Sequence, residues 1–263
     1  MKGKRIIITA PQNYACRLAD QIARRGGIPL LMPTIETCFL ENYTALDRVL
    51  QNINSFHWIA FTSRMGIDAF FQRLEQLNLP RSMLETCQIC AIGKDAERLS
   101  KWGIKADLVP VDPSPKGIVL ELVQVSKIEQ QTVFVPVPKV IGLPEPDIIP
   151  NFISGLQNIG LTVTRVPVYK TQCLDRKLYA RELAMIRAGQ VDAIAFSSTA
   201  EIESFLQMVN GKSDYEHCPI ACFGPYTAAN AKKLGLKVTI VAKDYSSFAG
   251  FVDAIADFFT PSW

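Results

Sequence analysis

Short runs of consecutive apolar residues recur along this chain. Between them, apolar positions fall three and four residues apart. Ile6-Ile7-Ile8, Trp58-Ile59-Ala60-Phe61, Ile89-Cys90-Ala91-Ile92, Ile194-Ala195-Phe196 and Ile220-Ala221-Cys222 are runs of the first kind. They are short and do not alternate with polar residues, which is the pattern of parallel strands covered by helices on both faces. In the first half the pattern predicts strands at 5–10, 29–32, 57–61, 88–92 and 108–110, and helices at 14–25, 44–52, 65–76 and 95–101. Gly26-Gly27 stop the first helix, because glycine takes the left-handed C-terminal position without steric cost. Alternating strand and helix means an open α/β sheet. Ligands of such sheets bind at the loops that follow the carboxyl ends of strands. Here those loops are 9–14, 62–66, 93–95, 137–142, 197–200 and 224–227.

The chain repeats itself. Ile59-Ala60-Phe61-Thr62-Ser63 matches Ile194-Ala195-Phe196-Ser197-Ser198, and each is followed by an amphipathic helix. Ile89-Cys90-Ala91-Ile92-Gly93, running to Trp102-Gly103-Ile104, matches Ile220-Ala221-Cys222-Phe223-Gly224, running to Leu234-Gly235-Leu236. Pro33-Thr34-Ile35 matches Pro167-Val168-Tyr169. The offsets are 135, 131 and 134 residues, so the repeat is domain-sized and reads as a duplication rather than a solenoid. The expected fold is α/β with two similar domains, each an open parallel sheet flanked by helices.

The loops carry the candidate chemistry. Thr62-Ser63 and Ser197-Ser198 place hydroxyls at helix N-termini, where they cap the helix, or cap it and also meet an anionic ligand. Gly93 and Gly224 end strands and allow close backbone approach. Neither lies in a dinucleotide or P-loop motif. Thr227 is a cap or a ligand contact. Arg64, Lys94 and Lys139 follow strand ends on the ligand side. Each alone reads as a solvated cation, and together they suggest an anion-binding patch. The stretch holding Pro136, Pro138, Pro144 and Pro146 cannot be a helix and is expected as a stiff loop. Tyr169 is either a packed aromatic or a hydroxyl facing a cleft between domains, able to donate a hydrogen bond or a proton.

Composition narrows the chemistry. With 28 basic and 25 acidic residues the chain carries a net charge of +3, too balanced to argue for nucleic acid. No apolar run approaches the ~18 residues of a membrane span. The basic start, Met1-Lys2-Gly3-Lys4-Arg5, precedes an apolar run too short for a signal peptide, which reads as a buried strand. Seven irregularly spaced cysteines point to a reducing compartment. Cys87-Gln88-Ile89-Cys90 is formally a C-x-x-C and is read as core, with redox or metal chemistry the alternative. Two histidines, His57 and His217, give a zinc site or a Ser-His-Asp triad little material, so no metal is expected.

The set Phe61-Thr62-Ser63, Pro167-Val168-Tyr169-Lys170-Thr171 and Gly224-Pro225-Tyr226-Thr227-Ala228-Ala229, followed by Leu234-Gly235-Leu236, resembles the uroporphyrinogen-III synthase family. The resemblance spans essentially the whole chain. It implies two α/β domains joined by a two-stranded linker, the first discontinuous (1–34 and 172–263) and the second covering 35–171. It implies cyclisation of hydroxymethylbilane, with loss of water and inversion of ring D, without a cofactor. It also implies that Tyr169 assists departure of the hydroxyl and that Thr227 is the family's Gly-Pro-x-Thr threonine; with the loop chemistry above, Thr62, Ser63, Arg64, Gly93, Lys94, Lys139, Ser197, Ser198, Gly224, Tyr226 and Thr227 are the substrate-binding candidates. Two departures stand out. Ala96 occupies a position where many members have threonine, and the proline-rich stretch replaces an arginine- and glycine-containing loop. The expected partner is a small polycarboxylate, with no nucleic acid or membrane, and the expected state a cytoplasmic or plastid-stromal monomer. The competing reading is a non-enzymatic two-domain binding or sensor protein, which the absence of a signal peptide and of an output domain weakens.

Overall fold

The computed structural model of the chain describes residues 1–260. The chain forms two compact units, Met1–Glu36 with Gln172–Trp263, and Thr37–Thr171. Each has a five-stranded sheet of its own.

The sheet of the first unit contains β1 (Arg5–Ile8), β2 (Ile28–Leu31), β8 (Ala193–Phe196), β9 (Ile220–Cys222) and β10 (Val238–Val241), in the order β10-β9-β8-β1-β2. The pairs β1–β2, β1–β8, β8–β9 and β9–β10 are all parallel. The period of two explains why Ile6-Ile7-Ile8 is apolar throughout. Ile6 and Ile8 pack with α1 (Gln12–Arg24) and α10 (Phe248–Phe258) through Leu18, Ile22, Phe251 and Ile255. Ile7 faces the opposite layer, packing with Leu183 of α7 (Ala180–Arg187), Phe205 of α8 (Thr199–Met208) and Ala231 of α9 (Pro225–Lys233). Helix α1 ends as expected: Gly26 has φ +77°, and the Gly27 N–H donates to the Ile22 carbonyl at 3.0 Å, closing a six-residue C-cap.

The second unit orders its strands β3-β7-β6-β4-β5, with β3 at Ile35–Phe39, β4 at Trp58–Phe61, β5 at Gln88–Ala91, β6 at Thr132–Ile141 and β7 at Thr162–Cys173. β4 pairs in parallel with both β5 and β6. This sheet is mixed rather than wholly parallel, because β3 and β7, neighbours in it, carry the chain into the unit and back out. One face packs on α2 (Thr44–Gln51), α3 (Arg64–Gln76) and α4 (Gly93–Lys101), with Phe61, Phe70, Phe71 and Phe134 at its centre. The other packs on α5 (Pro115–Leu122) and α6 (Ile148–Asn158), through Ile118, Leu122, Phe152 and Leu156.

Two expectations are corrected. Pro136, Pro138 and Lys139 do not lie in a loop: β6 runs through them to Ile141. The Thr132 carbonyl meets β4, so the period of two turns the donorless nitrogens of Pro136 and Pro138 to that same side. The paired β4 residues Trp58 and Ile59 lie opposite Val133 and Phe134, ahead of both prolines. The strand expected at 108–110 shrinks to a single parallel bridge between Cys90 and Leu108, since Pro110 has no N–H to extend it.

Candidate active site

In the first unit, the carboxyl ends of β1, β8 and β9 lead to Thr9, Ser197-Ser198 and Gly224. Ser198 caps α8: its Oγ accepts from the Glu201 N–H at 3.4 Å. What sequence reading missed is Glu201, in the first turn of α8 and 1% exposed. Its carboxyl accepts from Thr9 Oγ (2.8 Å), the Ser197 N–H (2.8 Å), Ser198 Oγ (3.0 Å) and Ser197 Oγ. Burial pushes this carboxyl above its ordinary value, against the lowering effect of those donors. The Ser197 and Ser198 hydroxyls are thus engaged by a carboxylate of the chain itself. The signal was present, because Ser198-Thr199-Ala200-Glu201 has the spacing of a capping box.

Gly224 is the N-cap residue of α9, so Thr227 is not the cap. Thr227 is buried in the first turn, while Tyr226 beside it is 55% exposed. Tyr245 lies over Gly224 so closely that a Cβ there would stand 3.1 Å from the Tyr245 Cβ and 3.3 Å from its Cγ.

The second unit uses the same corner differently. Ser63 caps α3, accepting from the Gly66 N–H at 3.0 Å. By the repeat, Gly66 occupies the position of Glu201. A Cβ built on it would lie 3.7 Å from Tyr169 Cε1 and 3.9 Å from Pro136 Cβ. A carboxylate fills the space in front of the helix in one unit, and in the other a glycine stands there with the Tyr169 ring beside it. Tyr169 is 7% exposed and belongs to the aromatic core cluster of its face, so the packed reading holds for its ring. Arg64 is the first residue of α3. Gly93 opens α4, with φ +22°, and is followed by exposed Lys94. Lys139 is exposed near the end of β6. Thr62 is half-buried at the end of β4.

Asp95, not singled out from sequence, sits in the first turn of α4. Desolvation pushes its carboxyl up to about 6, against the lowering influence of Arg64. In sequence it reads only as an acid at a helix start, an ordinary dipole complement.

Neither cysteine of the C-x-x-C is exposed, and burial pushes both thiols up, which suits core and not redox chemistry. Among the described residues no group of three or more His, Cys, Asp and Glu could hold a metal ion. No helix of the described residues is long and apolar enough to cross a membrane.

Duplicated α/β units whose strand ends lead into hydroxyl-bearing corners and helix N-termini define a two-unit α/β protein of the class that takes ligands at the carboxyl ends of its strands. Comparison with known proteins places it further. Residues 17–251 match the family model described as uroporphyrinogen-III synthase HemD. A uroporphyrinogen-III synthase from Synechococcus elongatus is 25% identical over 93% of this chain and 91% of its own. The porphyrin biosynthesis protein HemD of Ruminiclostridium josui is 23% identical over 97% of this chain, which spans about half (48%) of that protein's length. A crystal structure of a mutant uroporphyrinogen III synthase from Thermus thermophilus shares the fold, with a TM-score of 0.70 at 18% identity, over 97% of this chain and 98% of that one. The chain belongs to the uroporphyrinogen-III synthase family, cyclising hydro-lyases of tetrapyrrole biosynthesis. These matches support the enzyme reading and not that of a sensor.

Proposed function

We propose that this chain cyclises hydroxymethylbilane to uroporphyrinogen III as a monomer that takes no metal or cofactor, and that the second unit holds the reacting end of the substrate. The observation that carries the assignment of the site is the contrast between Glu201 and Gly66. The first unit satisfies its serine hydroxyls internally, and the second brings Tyr169 to the helix corner with Arg64 on the same first turn. Departure of the hydroxyl is driven by the lone pair of the pyrrole nitrogen, which forms an exocyclic double bond as the carbon–oxygen bond breaks. A donor at the departing oxygen is all the protein must add, and the Tyr169 hydroxyl is the group proposed to provide it. The harder task is folding the linear chain so that the substituted carbon of ring D attacks first. That is positioning, worth up to ~7–11 kcal/mol. Arg64, Lys94 and Lys139 hold substrate carboxylates, with Thr62, Ser63 and the Gly93 backbone lining the same strand ends. Ser197, Ser198, Gly224, Tyr226 and Thr227 are the substrate-contact candidates of the first unit. The compartment that fits is the cytoplasm or a plastid stroma.

The test is an isomer assay. Freshly generated hydroxymethylbilane is added to purified, metal-free protein, and the oxidised products are separated into type I and type III porphyrins. Catalytic formation of type III is the expected result. A mixture equal to the protein-free control refutes the proposal.

A further inference from the structure

The cations at the strand ends of the second unit are accompanied by one acid that has no evident structural duty. Asp95 follows Lys94 in the first turn of α4, and Arg64, the first residue of α3, exerts a charge influence on it. The helices pack on each other above neighbouring parallel strands, β4 and β5. The other acids of α3 and α4 are paired or exposed, Glu75 pairing with Arg81 at 2.7 Å. Asp68 of α3 accepts from Arg98 at 2.6 and 2.8 Å and from Trp102 at 3.0 Å. Asp112, in the loop whose Pro113 lies over Gly93, accepts from Ser114 at 2.7 Å. Glu97 is exposed. Asp95 is therefore the acid of this helix pair within the charge influence of Arg64, one of the proposed carboxylate-binding cations.

We propose that Asp95 is a proton-coupled specificity residue: it balances Arg64 in the free protein and takes up a proton when a substrate carboxylate replaces it beside that cation. The inference rests on the proposed function only in naming the substrate as a polycarboxylate. The physical reason is simple. Two carboxylates facing one guanidinium repel each other in a partly desolvated corner, and the one already disfavoured as an anion is the one that protonates. With its carboxyl near 6, only about a tenth of Asp95 is protonated at pH 7 and about a hundredth at pH 8. If the substrate binds the protonated form alone, the apparent affinity falls by the same factors, about tenfold and about a hundredfold. These factors are upper bounds, because ionised Asp95 still admits a weakly held substrate.

Two measurements test this. The first is KM for hydroxymethylbilane from pH 6 to 8.5, for the wild type and Asp95→Asn. The wild-type KM is expected to rise with pH. That of Asp95→Asn stays nearly flat and lies three- to tenfold below the wild type at pH 8. A KM for Asp95→Asn that equals or exceeds the wild-type value at pH 8 overturns the proposal. The second measurement does not depend on turnover. Binding of uroporphyrin III, an octacarboxylate, is followed by calorimetry at pH 7.5 in two buffers of different ionisation enthalpy. Net proton uptake by the wild type that vanishes in Asp95→Asn supports the coupling, and equal uptake in both overturns it. Should Asp95→Asn fail to fold, absence of uptake by the wild type still refutes the idea. Should no type III isomer form while the coupling is present, the proposed function fails and this inference stands.

Discussion

Replacing Glu201 by glutamine perturbs one atom of a fully enclosed group. The amide oxygen can keep the bonds from Ser197 Oγ and Ser198 Oγ. The amide nitrogen takes the place of the oxygen that accepts from Thr9 Oγ and from the Ser197 N–H, both at 2.8 Å. Thr9 can adjust, because its hydroxyl also lies 2.9 Å from the Ala195 carbonyl and can donate there while accepting from the amide. The Ser197 N–H cannot turn and is left facing another donor. One stranded backbone donor costs ~1–3 kcal/mol, and this is the expected loss at acid pH. The cost then changes with pH. The folded-state value of Glu201 is raised above its ordinary 4.5. Above that pH the native state binds more protons than the unfolded one, so wild-type stability declines as pH rises between the two values. Glutamine does not titrate. The penalty of Glu201→Gln is therefore largest below about pH 4.5 and shrinks above it. Urea unfolding at pH 4.5, 6 and 8, followed by fluorescence, reads this directly, with each transition assigned to its unit because two units need not unfold together. A penalty that is absent at every pH, or that grows as pH rises, would falsify the hydrogen-bond account.

Three further outcomes follow from the same geometry. Tyr169→Phe keeps the packed ring and removes the donor, so kcat should fall by ~10²-fold with KM within about twofold; a shift in KM alone would reduce Tyr169 to packing. Changing Arg64, Lys94 and Lys139 together to Gln should raise KM by about 5- to 30-fold at low salt, as expected for ~1–2 kcal/mol of partly screened charge, and flatten its salt dependence; an unaltered KM contradicts the patch. Gly117→Ala would put its Cβ 2.0 Å from the Asp112 carbonyl oxygen, and Gly250→Ala 2.4 Å from that of Asp244; each should lower only its own unit's unfolding transition, by ~2 kcal/mol or more, and an unchanged melting curve would show that these loops yield freely.

Most of the fold was legible because apolar runs and their duplication are long-range signals that survive local irregularity. Ile6-Ile7-Ile8 announces burial on both faces, and the structure fills both. Even the glycines just named belong to the repeat: Ser114 and Ser247 each cap a helix by accepting from a glycine N–H three residues on, at 3.1 and 3.2 Å. Proline was misread at 136 and 138 because its penalty depends on whether a neighbouring strand needs the missing donor, which sequence does not state. The site was legible only as a set of loops. Glu201 and Gly66 occupy matched positions, yet which unit fills its corner emerges only when Thr9, 192 residues away along the chain, is found on the same carboxyl. Asp95 hides among ordinary helix-start acids because its meaning comes from burial and from Arg64.

The discontinuity of the first unit has a consequence during synthesis. β1 pairs with β2 on one side and with β8 on the other, so the first strand to leave the ribosome lacks a neighbour until residues 193–196 have been made. Residues 37–171 form an uninterrupted stretch with a sheet and core of their own, and can condense while the ends of the chain are still apart. Closing β1 onto β8 then joins residues nearly 190 apart in sequence. The cost of that closure grows only with the logarithm of loop length, and prior folding of the intervening unit reduces it further. Until closure, Ile6, Ile7 and Ile8 expose an apolar ribbon with one unpaired edge, so nascent chains stalled before residue 193 should be the species that most need a chaperone.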